Sequence, residues 1–334
     1  MRRVRPVLLA AATLLTASCG FSADASEGTL HVYSARTYGV ETAFTRFTED
    51  TGVEVEFLNG NDAELRERLA AEGDDTQADV FLTVDAANLA LAAEQGLFQP
   101  LESPGLEQAV PQNLRDPQDR WFGLALRSRT LVYNPEAVTP DQLSTYAALT
   151  EPQWKGRLCM RGSTSAYTQS LVASLIANEG YDRAREIVAG WVANDVQIIN
   201  NDVEILQTIA AGGCDVGITN HYYLARQLAE DPQFPVELFW ANQETTGAHV
   251  NISGGGVTRY ADDPDLARRF LEWLATNGQQ VLIEGSFEYP ANPAVEPDPL
   301  IAEFGEYRQD PVNVGELGRH NADAIRLMQE AGYA

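Results

Sequence analysis

The chain has 334 residues, of which 44% are hydrophobic, and its 48 acidic and 23 basic side chains give a formal net charge of −25. This length suits two α/β lobes rather than one small domain, and the apolar content suffices for a core in each lobe. So acidic a chain is a poor partner for nucleic acid or anionic lipid headgroups. It could attract cations, although solubility is the commoner reason for such a surface.

Residues 1–18 have the pattern of a signal peptide. Three arginines among the first five residues precede an apolar stretch from Val7 to Ala17. The next residues, Thr16 to Cys19, resemble a permissive bacterial lipobox, in which Cys19 is lipidated and becomes the mature N-terminus. Cleavage by ordinary signal peptidase near residues 23–25 is the alternative. Either way we expect export to the periplasm or beyond, with residues 19–28 as a tether.

Strands and helices alternate in the first part of the chain. The hydrophobic periodicity predicts strands at 30–34, 53–58 and 78–82, and helices at 40–51, 63–72 and 86–93. Asp62 and Asp85 are the expected N-caps of the second and third helices. Such alternation is typical of a largely parallel sheet with helices on both faces.

A second α/β set begins near Trp154. Its predicted strands are 157–160, 196–200, 214–219 and 236–240, and its predicted helices are 167–179, 181–194, 203–211 (capped by Asn201 or Asp202) and 223–230. Two longer extended segments, 122–133 and 248–259, join the two sets. We therefore expect an N-terminal lobe of residues 29–125 and 256–295 and a C-terminal lobe of residues 126–255 and 296–334. Lobes joined by two crossing strands form a cleft that closes on a ligand.

Two cysteines, Cys159 and Cys214, remain once Cys19 is set aside. Each lies at a predicted strand, and neighbouring parallel strands can bring two cysteines within bonding distance. An even pair in an exported protein is expected to form a disulfide, with two buried thiols as the alternative.

Enzymatic motifs are missing from the sequence. It contains no GxxxxGK[ST], HExxH or GxSxG motif and only four histidines. We therefore expect a binding protein and not an enzyme.

Four tyrosines follow predicted strands, where a ligand of an open α/β sheet would bind. Tyr38 follows the first strand, Tyr167 follows the first strand of the second set, and Tyr222 and Tyr223 follow the strand at 214–219. Position alone leaves a second interpretation open, in which these are interfacial aromatics that pack their rings and expose their hydroxyls.

Three segments around these tyrosines carry a family resemblance. They are VYSARTY from Val32 to Tyr38, RGSTSAYTQSLVAS from Arg161 to Ser174, and NHYYL from Asn220 to Leu224. These segments resemble the periplasmic ferric-ion-binding proteins of bacterial iron ABC importers, most closely the cyanobacterial-type, carbonate-independent branch, and the likeness runs from about residue 29 to 330. The resemblance implies the type II periplasmic binding protein fold, also called transferrin-like, with a ferric ion as ligand, an inner-membrane ABC permease as partner and a monomeric state.

The resemblance also implies the site. Tyr38, Tyr167, Tyr222 and Tyr223 become the phenolate ligands, and Thr37 stands where many relatives have a histidine ligand. We therefore expect four protein ligands, with water or an open position completing the coordination.

The chemistry of the tyrosines agrees with this assignment. Ferric iron is a hard cation that prefers oxygen donors. A phenol has a pKa of about 10, so the metal must displace its proton, and binding should weaken on acidification. Four phenolates around Fe³⁺ leave one negative charge that needs a partner, and the resemblance indicates Arg127, with Arg226 as a second candidate. The alternative is a binding protein of the same fold for an oxyanion, polyamine or organic acid, in which the hydroxyls of residues 163–165 could hold an anion.

Overall fold

The computed structural model describes residues 28–334. The predicted signal peptide, Cys19 and nearly all of the tether lie outside these residues. The strands are Thr29–Ser34 (β1), Glu54–Asn59 (β2), Val80–Thr83 (β3), Phe122–Tyr133 (β4), Leu158–Met160 (β5), Gln197–Ile198 (β6), Val216–Asn220 (β7), Glu237–Phe239 (β8), Val250–Val257 (β9) and Tyr289–Pro290 (β10). The helices are Val40–Thr51 (α1), Asp62–Glu72 (α2), Ala86–Glu94 (α3), Pro104–Ala109 (α4), Ala166–Glu179 (α5), Tyr181–Ala193 (α6), Asp202–Ala210 (α7), His221–Glu230 (α8), Pro264–Ala275 (α9), Gln279–Ile283 (α10), Pro299–Ala302 (α11), Gly315–Arg319 (α12) and Asn321–Glu330 (α13). Within the described part of the chain, no helix combines the length and apolarity needed to cross a bilayer.

The strands form one mixed sheet in the order β2-β1-β3-β9-β4-β7-β5-β6, with β8 and β10 also paired to β4. In one half, β1 runs parallel to β2 and β3. In the other half, β5 runs parallel to β6 and β7. Between them, β9 runs antiparallel to both β3 and β4. The sheet is therefore two parallel α/β units joined through antiparallel central strands, which confirms the predicted type II binding-protein fold.

The long strand β4 links the two lobes. Its first part, Phe122 to Ser128, pairs with β9, and its second part, Arg129 to Tyr133, pairs with β7. All twelve residues of β4 are buried. In β9, a Cβ at any of the three consecutive glycines would lie 2.4 Å from an existing atom. These atoms are the Phe122 carbonyl oxygen of β4, a Leu82 methyl of β3 and the Arg120 carbonyl oxygen just before β4. Glycine there permits the close approach of the central strands.

The C-terminal tail contacts both halves of the molecule, and the expected lobe boundaries stay a prediction. Helix α12 lies within the range expected for the C-terminal lobe, yet it packs on α3 of the other half. A Cβ at Gly318 would lie 2.8 Å from the Cβ of Ala90 and 3.2 Å from the Cα of Ala87. The following helix, α13, packs against α5 and α6. The tail from α12 to α13 therefore contacts both halves.

Helix termini show which local predictions were right. Helix α1 has the predicted bounds, because Gly39 and Gly52 on either side adopt φ values of 73° and 80° that favour glycine. Asp85 caps α3 as predicted, and Asn201 is the cap of α7. The predicted cap of α2 was wrong: the side chain of Asn61 accepts the Ala63 amide. Asp62, the first helical residue, instead accepts the Val84 amide at 3.1 Å.

The predicted disulfide between Cys159 and Cys214 is present, with its Cα atoms 6.1 Å apart. Cys159 lies in β5, and Cys214 lies just before β7, its parallel neighbour. The bond closes a loop across 55 positions, which stabilises the fold by about 4 kcal/mol on the chain-entropy model.

A buried polar network spans the lobes beside β9. The amide of Asn251 donates to Asp85 Oδ1 and to Ser170 Oγ, each at 2.8 Å. The Ser170 hydroxyl in turn lies 2.9 Å from His249 Nε2. Burial, aided by the nearby charges of Arg129 and Arg127, lowers the pKa of His249 from 6.5 to about 3. His249 therefore stays neutral in the folded protein at ordinary pH.

This neutral histidine predicts an acid-sensitive component of stability. As the pH falls, the unfolded chain is protonated first, so the stability contributed by His249 is intact above pH 6.5 and is lost between 6.5 and about 3. We expect the loss to be about 1.4 kcal/mol per pH unit in this window. Urea unfolding of metal-free wild type and His249→Asn at several pH values measures it. The variant should show the shallower slope, and parallel curves would contradict this assignment.

Candidate metal centre

A pocket of about 370 Å³ lies between the two lobes. It is lined by Tyr38, Val84, Arg127, Tyr167, Tyr222, Tyr223, Arg226 and Glu288. The pocket therefore holds all four predicted tyrosines and both predicted arginines. These tyrosines come from segments that follow β1, β5 and β7, so the carboxyl ends of strands in both lobes face one space. Thr37, the remaining predicted site residue, is exposed and is outside the set that lines the pocket.

Three of the tyrosines form a cluster on the C-terminal lobe. The Tyr222 hydroxyl donates to the Tyr167 hydroxyl at 3.1 Å, and Asn220 Nδ2 donates to the Tyr222 hydroxyl at 3.1 Å. The rings of Tyr222 and Tyr223 lie 4.5 Å apart. The fourth tyrosine, Tyr38, approaches from the N-terminal lobe, and its hydroxyl donates to Glu288 Oε1 at 3.3 Å. A cation between these groups would bridge the lobes.

Three phenols of the pocket, those of Tyr38, Tyr222 and Tyr223, have raised pKa values. Burial raises the pKa values of Tyr222 and Tyr223 above the usual 10, and the neighbouring Tyr167 raises both further. Burial of the hydroxyl end also raises the pKa of Tyr38, and the Glu288 carboxylate adds to this effect. The side chain of Tyr38 nevertheless stays 37% exposed at the pocket. A bound cation must therefore displace phenolic protons that the protein itself holds firmly.

Two arginines of the pocket face the phenols. Arg127 is buried, and its Nη2 donates to the Val84 carbonyl. Burial alone would lower the pKa of Arg127, but Tyr222, Tyr38 and Glu288 outweigh it, so the guanidinium stays charged. The guanidinium of Arg226 lies 4.9 Å from the Tyr222 ring centre. Both positions suit stabilisation of phenolate charge.

Two further charged groups at the site, Arg36 and Glu288, were not expected from the sequence. Arg36 Nη1 contacts Glu288 Oε2 at 2.5 Å, and its guanidinium lies 4.2 Å from the Tyr38 ring centre. Burial would raise the pKa of Glu288, but Arg36 and Arg127 outweigh it and hold the pKa low. Arg36 lies inside the matched segment VYSARTY, which could have drawn attention to it. Glu288 lies 250 positions from Tyr38 in a segment without a recognisable motif.

The donor atoms of the pocket are phenolic and carboxylate oxygens. Within residues 28–334, no group of three or more His, Cys, Asp or Glu side chains is placed to hold a metal. A soft or borderline metal that prefers sulfur or imidazole therefore has no such site there, whereas the tyrosine oxygens suit a hard, highly charged cation.

Comparison with known protein families identifies the class of protein to which this chain belongs. The family described as bacterial extracellular solute-binding protein matches residues 42–309, and the chain belongs to this family.

Particular relatives are similar over nearly the whole chain. Iron uptake protein A1 from Synechocystis sp. is 38% identical, covering 96% of this chain and 93% of its own length. An Fe(3+)-binding periplasmic protein from Serratia marcescens is 30% identical, covering 98% of this chain and 97% of its own. The solved structure of FutA (IdiA) from Trichodesmium, in complex with iron and citrate ligands, matches with a TM-score of 0.88 at 39% identity, covering 92% of this chain and 100% of that one.

Proposed function

We propose that this protein binds ferric iron in the pocket between its lobes and delivers it to an inner-membrane ABC permease. The single observation that carries the proposal is the convergence of four tyrosines from both lobes on one pocket. The names of the relatives support iron as the cargo and the periplasm as the location. In this role the chain is a binding protein and not an enzyme. Lipid anchoring at Cys19 and a monomeric state are part of the proposal.

The proposed ligands are the phenolates of Tyr38, Tyr167, Tyr222 and Tyr223, with water or an open position completing the shell. A trivalent cation compensates for the cost of deprotonating phenols whose pKa values are raised, as metals do for other weakly acidic ligands. The complex of Fe³⁺ with four phenolates carries one negative charge. Arg127 and Arg226, which line the same pocket, are the proposed partners of that charge.

The competing ligand classes have less support. An oxyanion or organic acid was expected to use the hydroxyls of residues 163–165, but these residues are not part of the lining of the described pocket. The four phenols carry no positive charge for an anion, and the two arginines that could pair with one, Arg127 and Arg226, already face the tyrosine rings. A hard cation uses all four oxygens.

Visible spectroscopy tests the proposal directly. Ferric citrate is added to metal-free protein, excess is removed by desalting, and the spectrum is recorded. Tyrosinate bound to Fe(III) should give a broad charge-transfer band and a reddish protein. The variant with all four tyrosines changed to phenylalanine should stay colourless, because it keeps the rings but has no phenolic oxygen. A colourless wild type without bound iron, or a quadruple variant with an unchanged band, would refute the assignment.

A further inference from the structure

Each lobe holds its first tyrosine beside two arginines that share one buried carboxylate. Next to Tyr38 of the N-terminal lobe, the Glu288 cluster consists of Arg36, Glu288 and Arg127, the last of which comes from the linking strand β4. In the C-terminal lobe, the Asp202 cluster consists of Arg129, Arg161 and Asp202, next to Tyr167. Arg127 and Arg129 are two positions apart on β4, so one strand supplies an arginine to each cluster. From its position in the sequence, Asp202 was expected only as a possible helix cap, a role that Asn201 fills.

The Asp202 cluster is rigidly connected. Asp202 is fully buried, and its Oδ1 contacts Arg129 Nη1 at 2.6 Å while its Oδ2 contacts Arg161 Nη1 at 2.5 Å. The backbone amide of Asn220 donates to Asp202 Oδ1 at 3.3 Å, and Arg129 Nη2 donates to the Ile218 carbonyl at 2.9 Å. One carboxylate thus fixes two guanidinium groups, and the cluster keeps a net charge of +1.

Both arginines of this cluster face the Tyr167 ring. Their guanidinium carbons lie 5.6 Å (Arg129) and 5.7 Å (Arg161) from the ring centre, within the range of cation–π contact. Within the part of the chain that the structure describes, the buried Nε atoms of these two arginines have no hydrogen-bond acceptor. Buried donors are rarely left without acceptors unless the site has a use for them. Here the two guanidinium groups with these unpaired donors lie against the ring of Tyr167, a proposed iron ligand.

We propose that the Asp202 cluster balances the charge of the iron-loaded site through Tyr167, with Arg129 and Arg161 as positioning residues that Asp202 holds in place. This inference rests on the proposed function. The cluster's net charge of +1 adds to the charges of Arg127 and Arg226, which also face the −1 of Fe³⁺ with four phenolates. In a pocket of low dielectric, a fixed cation beside the phenolate ring stabilises the phenolate far more strongly than the same cation would in bulk water.

Arg161 offers the cleanest test, because its side chain is 19% exposed and Asp202 keeps Arg129 and the Asn220 amide as partners without it. Arg161→Gln removes the charge, and Arg161→Lys keeps it. A phenolate without its neighbouring cation is a better electron donor, so the charge-transfer band of iron-loaded Arg161→Gln should move to longer wavelength. Iron transfer to a competing chelator should favour the chelator at least tenfold more than in wild type. Arg161→Lys should restore most of both properties.

Arg157→Gln is the matched control. Arg157 lies in the same lobe and pairs with Asp215 at 2.5 Å, with the two side chains 29% and 24% exposed, and neither residue lines the pocket. We expect it to leave the band and the chelator equilibrium unchanged. An unchanged band and equilibrium in Arg161→Gln, or an equal shift in Arg157→Gln, would overturn the inference while leaving the proposed function intact. A wild-type protein with no band at all would overturn both.

Discussion

Tyr222→Phe is expected to lower the affinity for ferric iron by more than 100-fold. Loss of an outer-shell partner typically costs about 10–100-fold in metal affinity, and loss of a direct phenolate ligand should cost more. The substitution keeps the ring, which is 5% exposed and packs on Tyr223. It removes only the hydroxyl that contacts Tyr167 and Asn220. Competition with a ferric chelator, followed by the charge-transfer band, measures the change.

Tyr133→Phe is the matched control for Tyr222→Phe. Tyr133 is 2% exposed, and Tyr133→Phe loses one hydrogen bond, from the hydroxyl to Glu237, whereas Tyr222→Phe loses two. Tyr133 is the last residue of β4 and pairs with Val216, the first residue of β7. Tyr222 follows the other end of β7, so the two tyrosines lie at opposite ends of this strand. We expect both variants to lose about 1 kcal/mol of stability and only Tyr222→Phe to lose iron. Comparable iron affinity in the two variants would remove Tyr222 from the ligand set.

The arrangement of the tyrosines could be predicted because it follows from local patterns. Strand–helix alternation is typical of parallel strands, and parallel strands place the residues that follow them at one edge of a sheet. Tyr38, Tyr167 and Tyr222 follow strands in this way, so local pattern made them candidates for a cleft, whereas their role as ligands of one ion was implied by the family resemblance. The disulfide was predictable for the same reason, since its two cysteines lie at neighbouring parallel strands.

The charged groups around the tyrosines could not be predicted in this way. Glu288 reaches Arg36 across 252 positions, and Asp202 reaches Arg129 across 73. Nothing within a few residues of either carboxylate distinguishes it from the many acids on the surface of this chain. Asp202, at the start of a helix, had a sufficient local explanation as a cap. The cap of α2 was misassigned because Asn61 and Asp62 are both good caps and only the backbone geometry distinguishes them.

Glu288→Ala is expected to lower the free energy of unfolding of the metal-free protein by about 3–5 kcal/mol. Glu288 is 1% exposed, and it neutralises Arg36 at 2.5 Å and faces Arg127 at 3.9 Å. Removing the carboxylate leaves the fully buried charge of Arg36 without a counter-ion, and that uncompensated charge accounts for most of the cost. Urea unfolding at neutral pH, with iron excluded by a chelator, measures the effect on the fold alone.

Glu186→Ala provides the comparison for Glu288→Ala. Glu186 pairs with Arg183 at 2.9 Å, close to the distance of the buried pair, but the two side chains are 63% and 53% exposed. Exposed pairs contribute about 0–1 kcal/mol because water screens both charges, so this variant should unfold almost like wild type. A Glu288→Ala variant as stable as Glu186→Ala would mean that Arg36 reaches solvent or another anion when its partner is lost. In that case the Glu288 cluster would not be the fixed electrostatic support beside Tyr38 that its geometry indicates.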